Sequence, residues 1–287
     1  MRTSSRYMDR QKKSRRTEIK KNVAVVVIIA VFGVFVFSVN AVGKFMAEKV
    51  MTPVLNYIII HPTATAEPGV TADSSKVSQT ITVPAFTLYS IQMGAYSGSE
   101  SATSAAESLQ SAGGGGYVVK SDYFRVLASG YLTAEDAEKV QQQLKDAGTS
   151  SSVYELKCDE LVFKITATKA QIETINGAFR TYPELCTQLV GDCISFDKSE
   201  ITQIQLKTKM KAILGKIQAQ IKALDEMNGS SDNKPLTALT ELYTQAETSL
   251  EDICGETGNS SLDFSVRIKY NYIAMADAYC KYEDNIS

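Results

Sequence analysis

Histidine is almost missing from this sequence: the single copy is His61, and none follows it. That excludes a His-ligated zinc centre, a Ser-His-Asp triad or a His general base anywhere C-terminal to it. A pair of carboxylates that cleaves a glycosidic bond needs no histidine. Glu160, Glu173, Glu241 and Glu247 are available for one, but such residues are ordinarily solvated and nothing selects two of them. Glycine-rich phosphate loops are missing too: Gly113 to Gly116 are four bare glycines between a helix pattern and a strand pattern, which reads as a hinge or turn. Cysteine is scarce and odd in number, with Cys158, Cys186, Cys193, Cys254 and Cys280, so buried free thiols acting as small apolar residues are the first expectation. No catalytic residue, metal ligand or cofactor is expected, and the chain does not read as an enzyme.

What is present begins with charge. Residues 1–21 hold nine Lys or Arg against Asp9 and Glu18, a net of +7, so the rest of the chain carries −9 of the total of −2. Val23 to Val39 follows as a run of seventeen residues interrupted only by Gly33 and Ser38, long enough with its flanks to cross a bilayer. Lysine and arginine crowd its N-terminal side, which predicts a transmembrane helix over 22–43 with the basic tail 1–21 in the cytoplasm and the body outside. The core is long for a cleaved signal peptide, and Val39-Asn40-Ala41 is a poor cleavage site. The tail then suits anionic lipid headgroups. Residues 44–85 read as a stalk followed by a flexible linker, rich in Thr, Ser, Ala and Pro from Pro62 to Pro84 and spanning roughly 25 Å as a coil.

The stretch from Phe86 to Lys157 is written twice at an offset of 35: Tyr96 falls on Tyr131, Glu100 on Glu135, Ala102 on Ala137, Leu109 on Leu144 and Gly113 on Gly148. Each copy alternates at first (Tyr89, Ile91, Met93; Phe124, Val126, Ala128) and then takes helical spacing (Ala102, Ala106, Leu109; Ala137, Val140, Leu144). Short apolar runs at Tyr117 to Val119 and Ser152 to Leu156 close each half. The predicted order is βαββαβ, the ferredoxin-like split βαβ arrangement, with both helices on one sheet face and the other left free. Ser97-x-x-Glu100 and Thr133-x-x-Asp136 resemble capping boxes, and both helices stop at an Ala-Gly pair. Alternation puts Ser90 and Gln92 of the first strand, and Tyr123, Arg125 and Leu127 of the third, on the free face.

The run Ile91-Gln92-Met93-Gly94-Ala95-Tyr96, then Ala102, Leu109 and Ala112-Gly113, then Tyr123-Phe124-Arg125-Val126 and a second helix ending Ala147-Gly148, resembles a SPOR domain. Ser129-Gly130-Tyr131 departs from the Gly-Pro-Phe that the family more often has. The resemblance covers about a quarter of the chain. It implies an extracytoplasmic module that binds peptidoglycan glycan strands, especially strands stripped of stem peptides at division septa, or in a spore envelope. It also points to Gln92, Tyr123 and Arg125 as glycan-binding residues, with Ser90 beside them and Val153 as an addition from the last strand. An amide, a guanidinium and an aromatic ring suit the hydroxyl and acetamido oxygens of an uncharged sugar chain. The acidic body and the lack of several aromatics on one strand disfavour a nucleic-acid reader of the same topology.

Residues 158–287 change to helical spacing. Four helices are predicted: about Thr168 to Leu189, broken or kinked at Pro183; from Ile201 to Asn228; from Pro235 to Gly255; and about Leu262 to Tyr282 with a tyrosine stripe. Short loops make these an up-and-down bundle, which brings Cys158 and Cys280 to one end and Cys186, Cys193 and Cys254 to the other. The six lysines from Lys198 to Lys222 read as a solvated helix face. The fold class is thus α+β with a transmembrane helix, a split βαβ domain over 86–157 able to fold alone, and an all-α bundle. The partners expected are glycan strands, the membrane and an envelope protein met through the bundle, with no nucleic acid. The competing function is an envelope scaffold with no glycan affinity.

Overall fold

A computed structural model describes residues 75–228, 233–255 and 260–286. The basic tail, the apolar run and the stalk lie outside the described residues, and so does the membrane span read into them. Among the described residues no helix is long and apolar enough to cross a membrane. The elements in chain order are β1 (Val77–Val83), β2 (Phe86–Tyr96), α1 (Ser99–Ser111), β3 (Tyr117–Lys120), β4 (Phe124–Tyr131), α2 (Ala134–Asp146), β5 (Ser152–Cys158) and β6 (Leu161–Ala167), then the helices α3 (Lys169–Asp197), α4 (Gln203–Asn228), α5 (Lys234–Gly255) and α6 (Ser261–Ile286).

The duplicated stretch forms the expected split βαβ unit, an antiparallel sheet in the order β3-β4-β2-β5. Its helix side is closed by Ile91, Val126 and Ala128 against Ala102, Ala106 and Leu109 of α1 and Ala137, Val140 and Leu144 of α2. Both helices end as read. Gly113 and Gly148 have φ of 95° and 77°, and Gly114 N–H and Thr149 N–H reach back to the carbonyls of Leu109 and Leu144 at 3.0 and 2.8 Å. At the other end of α2, Thr133 caps Asp136 N–H. The cap expected from Ser97 does not form: α1 starts from Gly98 with no side-chain cap.

Two strands were hidden in segments with other readings. Val77–Val83 falls inside the stretch taken as linker, and Leu161–Ala167 lies where helical spacing was expected to take over. They pair with each other in an antiparallel ribbon, Val77 opposite Ala167 and Val83 opposite Leu161. Ile81, Val83 and Phe163 face α3, where Phe163 meets Phe179 edge-on at 5.3 Å. The split βαβ unit is therefore inserted between the two strands of a ribbon that packs on the bundle.

The bundle is the expected up-and-down ring, α3 touching α4 and α6, and α5 touching α4 and α6. α3 is not broken at Pro183 but runs on to Asp197. Proline lacks the N–H that the carbonyl four residues earlier would accept. That carbonyl belongs to Phe179, and it takes the Tyr279 hydroxyl at 3.0 Å instead, while Tyr243 donates to the neighbouring Ala178 carbonyl at 2.6 Å. The tyrosine stripe thus repairs the helix. Tyr182 stacks on Tyr279 at 5.3 Å and meets Tyr243 edge-on at 5.1 Å.

The sheet's second face is not free. α6 lies across β3, β4, β2 and β5, and Leu88, Leu127 and Leu156 from that face share one core with the bundle. Small residues permit the close approach. A side chain on Gly115 would come within 2.9 Å of the Tyr270 backbone nitrogen, and one on Gly113 within 2.9 Å of Leu262. All four glycines are buried, Gly113 and Gly115 against α6 and Gly114 and Gly116 against α1 and β4, so the run is a packed seam, not a hinge. Polar groups fix the register: Lys269 Nζ reaches Asp197 at 2.8 Å and the Gly113 carbonyl at 3.1 Å. The Tyr272 hydroxyl accepts from Gly130 N–H at 2.9 Å, so the tripeptide that departs from the SPOR pattern is where α6 docks.

Candidate functional site

α6 covers only part of the outer face. Beyond it, toward the end of β2 and the start of β4, a strip stays accessible. Gln92 sits between two register irregularities, opposite Leu127, while Ser90 is opposite Gly130 and Gly94 opposite Val126. Bulges of this kind re-aim side chains, and here the Gln92 amide is presented to β4. Arg125 Nη1 donates to Gln92 Oε1 at 2.9 Å and Arg125 Nε to Ser121 Oγ at 3.3 Å. Its guanidinium also lies 5.0 Å from the Tyr154 ring centroid and 6.0 Å from that of Tyr123. Tyr123 is 50 % exposed, and Gln92, Arg125 and Tyr154 are half-buried. These contacts hold the guanidinium between Gln92, Ser121 and the two rings.

Three of the residues read from the sequence, Gln92, Tyr123 and Arg125, therefore come together. Two do not. Ser90 points to the outer face as expected but is completely buried beneath α6, its hydroxyl without a hydrogen-bond partner among the described residues. Val153 is opposite Ile91 and packs with the helix-side core, so it faces the wrong way. Its neighbour Tyr154, paired with Ser90, takes that place on the outer face. Tyr154 and Ser121 are thus the residues that the sequence reading missed. Period-2 alternation puts Tyr154 on the same face as Leu156, which joins the core shared with the bundle, whereas Val153 came from the family resemblance alone.

The strip offers an amide, a guanidinium, hydroxyls and ring faces, and the free buried cysteines lie apart from it, in α3. Burial pushes the Cys186 thiol up to about 12 and raises Cys193 further, which leaves both unreactive at neutral pH. Among the described residues no group of His, Cys, Asp and Glu is placed to hold a metal ion. Three of the five lysines of α4 are engaged at the surface: Lys209 with Asp192, Lys216 with Gln188 and Lys222 with Glu226.

The duplicated strand-helix unit thus brings an amide, a guanidinium and two phenol rings together at the open end of its sheet. Residues 85–155 match the SPOR domain family, whose members bind peptidoglycan. No curated protein and no solved structure matches the chain.

Proposed function

We propose that this chain is a non-catalytic peptidoglycan-binding protein of the cell envelope, anchored by its N-terminal apolar run and targeted to the division septum or spore envelope. Glycan strands lie on the strip of Gln92, Tyr123, Arg125 and Tyr154. The observation that carries this reading is the held guanidinium, fixed by Gln92 and Ser121 beside two rings within the segment that matches a SPOR domain. Tyrosine rings offer an apolar face to a sugar ring and a polar tip to its hydroxyls. An envelope partner would meet the bundle on α4 and α5, the two helices away from the sheet.

The test is sedimentation with purified wall sacculi, with RNA and empty beads as controls, and imaging of a fluorescent fusion in dividing cells. Gln92→Ala, Tyr123→Ala and Arg125→Ala are each expected to weaken sacculus binding and septal targeting while changing the melting temperature by only a few degrees, as partly exposed substitutions do. Full binding by the Tyr123→Ala, Arg125→Ala double variant would place the site elsewhere.

A further inference from the structure

The duplicated unit is two-fold symmetric in its strand pairing as well as in its sequence. The offset of 35 carries Ser90 and its partner Gly130 onto Arg125 and its partner Ala95, and it exchanges Gln92 with Leu127, which are partners of each other. It also carries the β2 to β5 pairings of Gln92 with Ser152 and of Ser90 with Tyr154 onto the β4 to β3 pairings of Leu127 with Tyr117 and of Arg125 with Val119. A pseudo-two-fold axis normal to the sheet therefore passes between Gln92 and Leu127. On one side of it stand Gln92, Tyr123, Arg125 and Tyr154. On the other stand their equivalents Leu127, Leu88, Ser90 and Val119.

The two halves of the outer face differ in what covers them. Leu127, Leu88, Ser90 and Val119 are at most 3 % exposed, and the three apolar ones share the core of the bundle, where α6 runs over all four strands. At the usual strand spacing that is a track about 15 Å long across the sheet. The equivalent track at the open end is polar and accessible. A long polymer laid along the strand direction would meet α6, which reaches from β3 to β5, and would have to end there. A path across the strands leaves by the edges: β3 and β5 are the outermost strands, and among the described residues no further strand pairs with either.

We infer that the bound glycan strand crosses β5, β2 and β4 beside α6, held along its length and not by an end, and that Ser152 is one of its contacts. The inference rests on the peptidoglycan reading and adds the direction of the strand and a residue. The covered half shows what such a track holds: a rod crossing the strands, in contact with Tyr117, whose hydroxyl donates to Asp277 of α6 at 2.7 Å. Ser152 is the two-fold equivalent of Tyr117, opposite Gln92 and half-buried, so it stands at the corresponding point of the open track. Its hydroxyl can donate one hydrogen bond and accept two. Ser152 and Tyr154 thus form the β5 end of the track, and Arg125 and Tyr123 carry it over β4.

The experiment uses the full chain and glycan strands freed of stem peptides and fractionated by length. The number of protein molecules bound per strand at saturation is expected to rise in proportion to strand length, as binding along the polymer requires. Ser152→Ala is expected to weaken binding about twofold to tenfold, the worth of one hydrogen bond, and Ser152→Phe, which fills the β5 end of the track, by roughly tenfold or more. Glu155→Phe, exposed on the same strand but on the opposite face beside Tyr89, is expected to keep the affinity of the unsubstituted chain. Both bulky substitutions should leave the melting temperature within a few degrees. A fixed number of molecules per strand whatever its length overturns the crossing path and leaves glycan binding intact. So does full affinity in Ser152→Phe, or an equal loss in Glu155→Phe. Absence of binding to strands of every length overturns the peptidoglycan reading itself, and the path with it.

Discussion

Cys158, the last residue of β5, is disulfide-bonded to Cys280 near the end of α6, with Cα atoms 4.9 Å apart and a separation of 122 positions in sequence. The bond ties the sheet to the helix that covers it, and it joins the two cysteines that an up-and-down bundle brings to one end. The other three are free thiols, two of them buried. Closing so long a loop restricts the unfolded chain by about 4–5 kcal/mol on the chain-entropy account. Cys158→Ser with Cys280→Ser is expected to lower unfolding free energy by most of that amount. Sacculus binding should be retained, because the Arg125 cluster lies toward the other end of the sheet. Peptide mapping of the unreduced protein that found Cys254 joined to Cys280 would contradict the assignment.

Lys269 tests the seam between sheet and bundle. Its ammonium is nearly inaccessible and bridges Asp197 to the Gly113 carbonyl. Lys269→Met removes the cation and leaves that carbonyl without this donor. Asp197 keeps the Ser265 hydroxyl at 2.5 Å, which places the loss at the low end for a broken buried pair, about 3 kcal/mol. Gly115→Ala attacks the same seam sterically, since its methyl would meet the α6 backbone at 2.9 Å. Both are expected to lower the denaturation midpoint, and a wild-type midpoint for both would mean that α6 does not dock on the glycines.

Much of this architecture was legible because two periodicities were written clearly. The 35-residue repeat placed both helices, and the apolar spacing of residues 158–287 placed the bundle. What was not legible came from contacts distant in sequence. Val77–Val83 alternates Val77, Ile81 and Val83 with Ser and Thr, a strand signal that the preceding Pro- and Thr-rich stretch concealed. Ser90 and Leu127 looked solvent-facing because a split βαβ unit read alone has one covered face, and only α6, more than 130 residues further along, supplies the second cover. Val153, implied by the family resemblance alone, is turned to the helix side by β5, and Tyr154 beside it faces outward. Pro183 looked like a break because the donor that replaces its missing N–H, Tyr279, is 100 residues from the Phe179 carbonyl it serves.

The buried outer face also bears on modularity. Residues 86–157 contain every element of the split βαβ unit, which predicts independent folding, but Leu88, Leu127 and Leu156 are at most 5 % exposed only because α6 lies over them. Removing the bundle uncovers a contiguous apolar patch of the kind that drives association. The fragment 86–157 is expected to bind a hydrophobic dye and self-associate, and Leu127→Gln within it to reduce both effects. Calorimetry of the full chain should show these units melting in one transition; two well-separated transitions would show that they are energetically independent.

Glu283 gives the last prediction. It lies on α6, 4 % exposed, with no hydrogen-bond partner for either carboxylate oxygen among the described residues, and the Tyr279 hydroxyl donates to Phe179 instead. Burial raises its carboxyl above the ordinary range, the nearby Tyr279 hydroxyl offsetting part of the effect and the Asp284 charge adding to it. The folded chain therefore holds this proton more tightly than the unfolded chain does. By linkage its contribution favours folding while the group is protonated, and is lost as pH rises from the ordinary carboxylate value through the raised folded one. Glu283→Gln removes the ionisation, so it is expected to stabilise the protein at pH 8 by roughly 1 kcal/mol, a few degrees in Tm, and by less as the pH falls below the ordinary carboxylate range. Thermal melts of both proteins across that interval decide the matter. A gain independent of pH, or a loss at pH 8, would show that Glu283 is satisfied by a partner in solution.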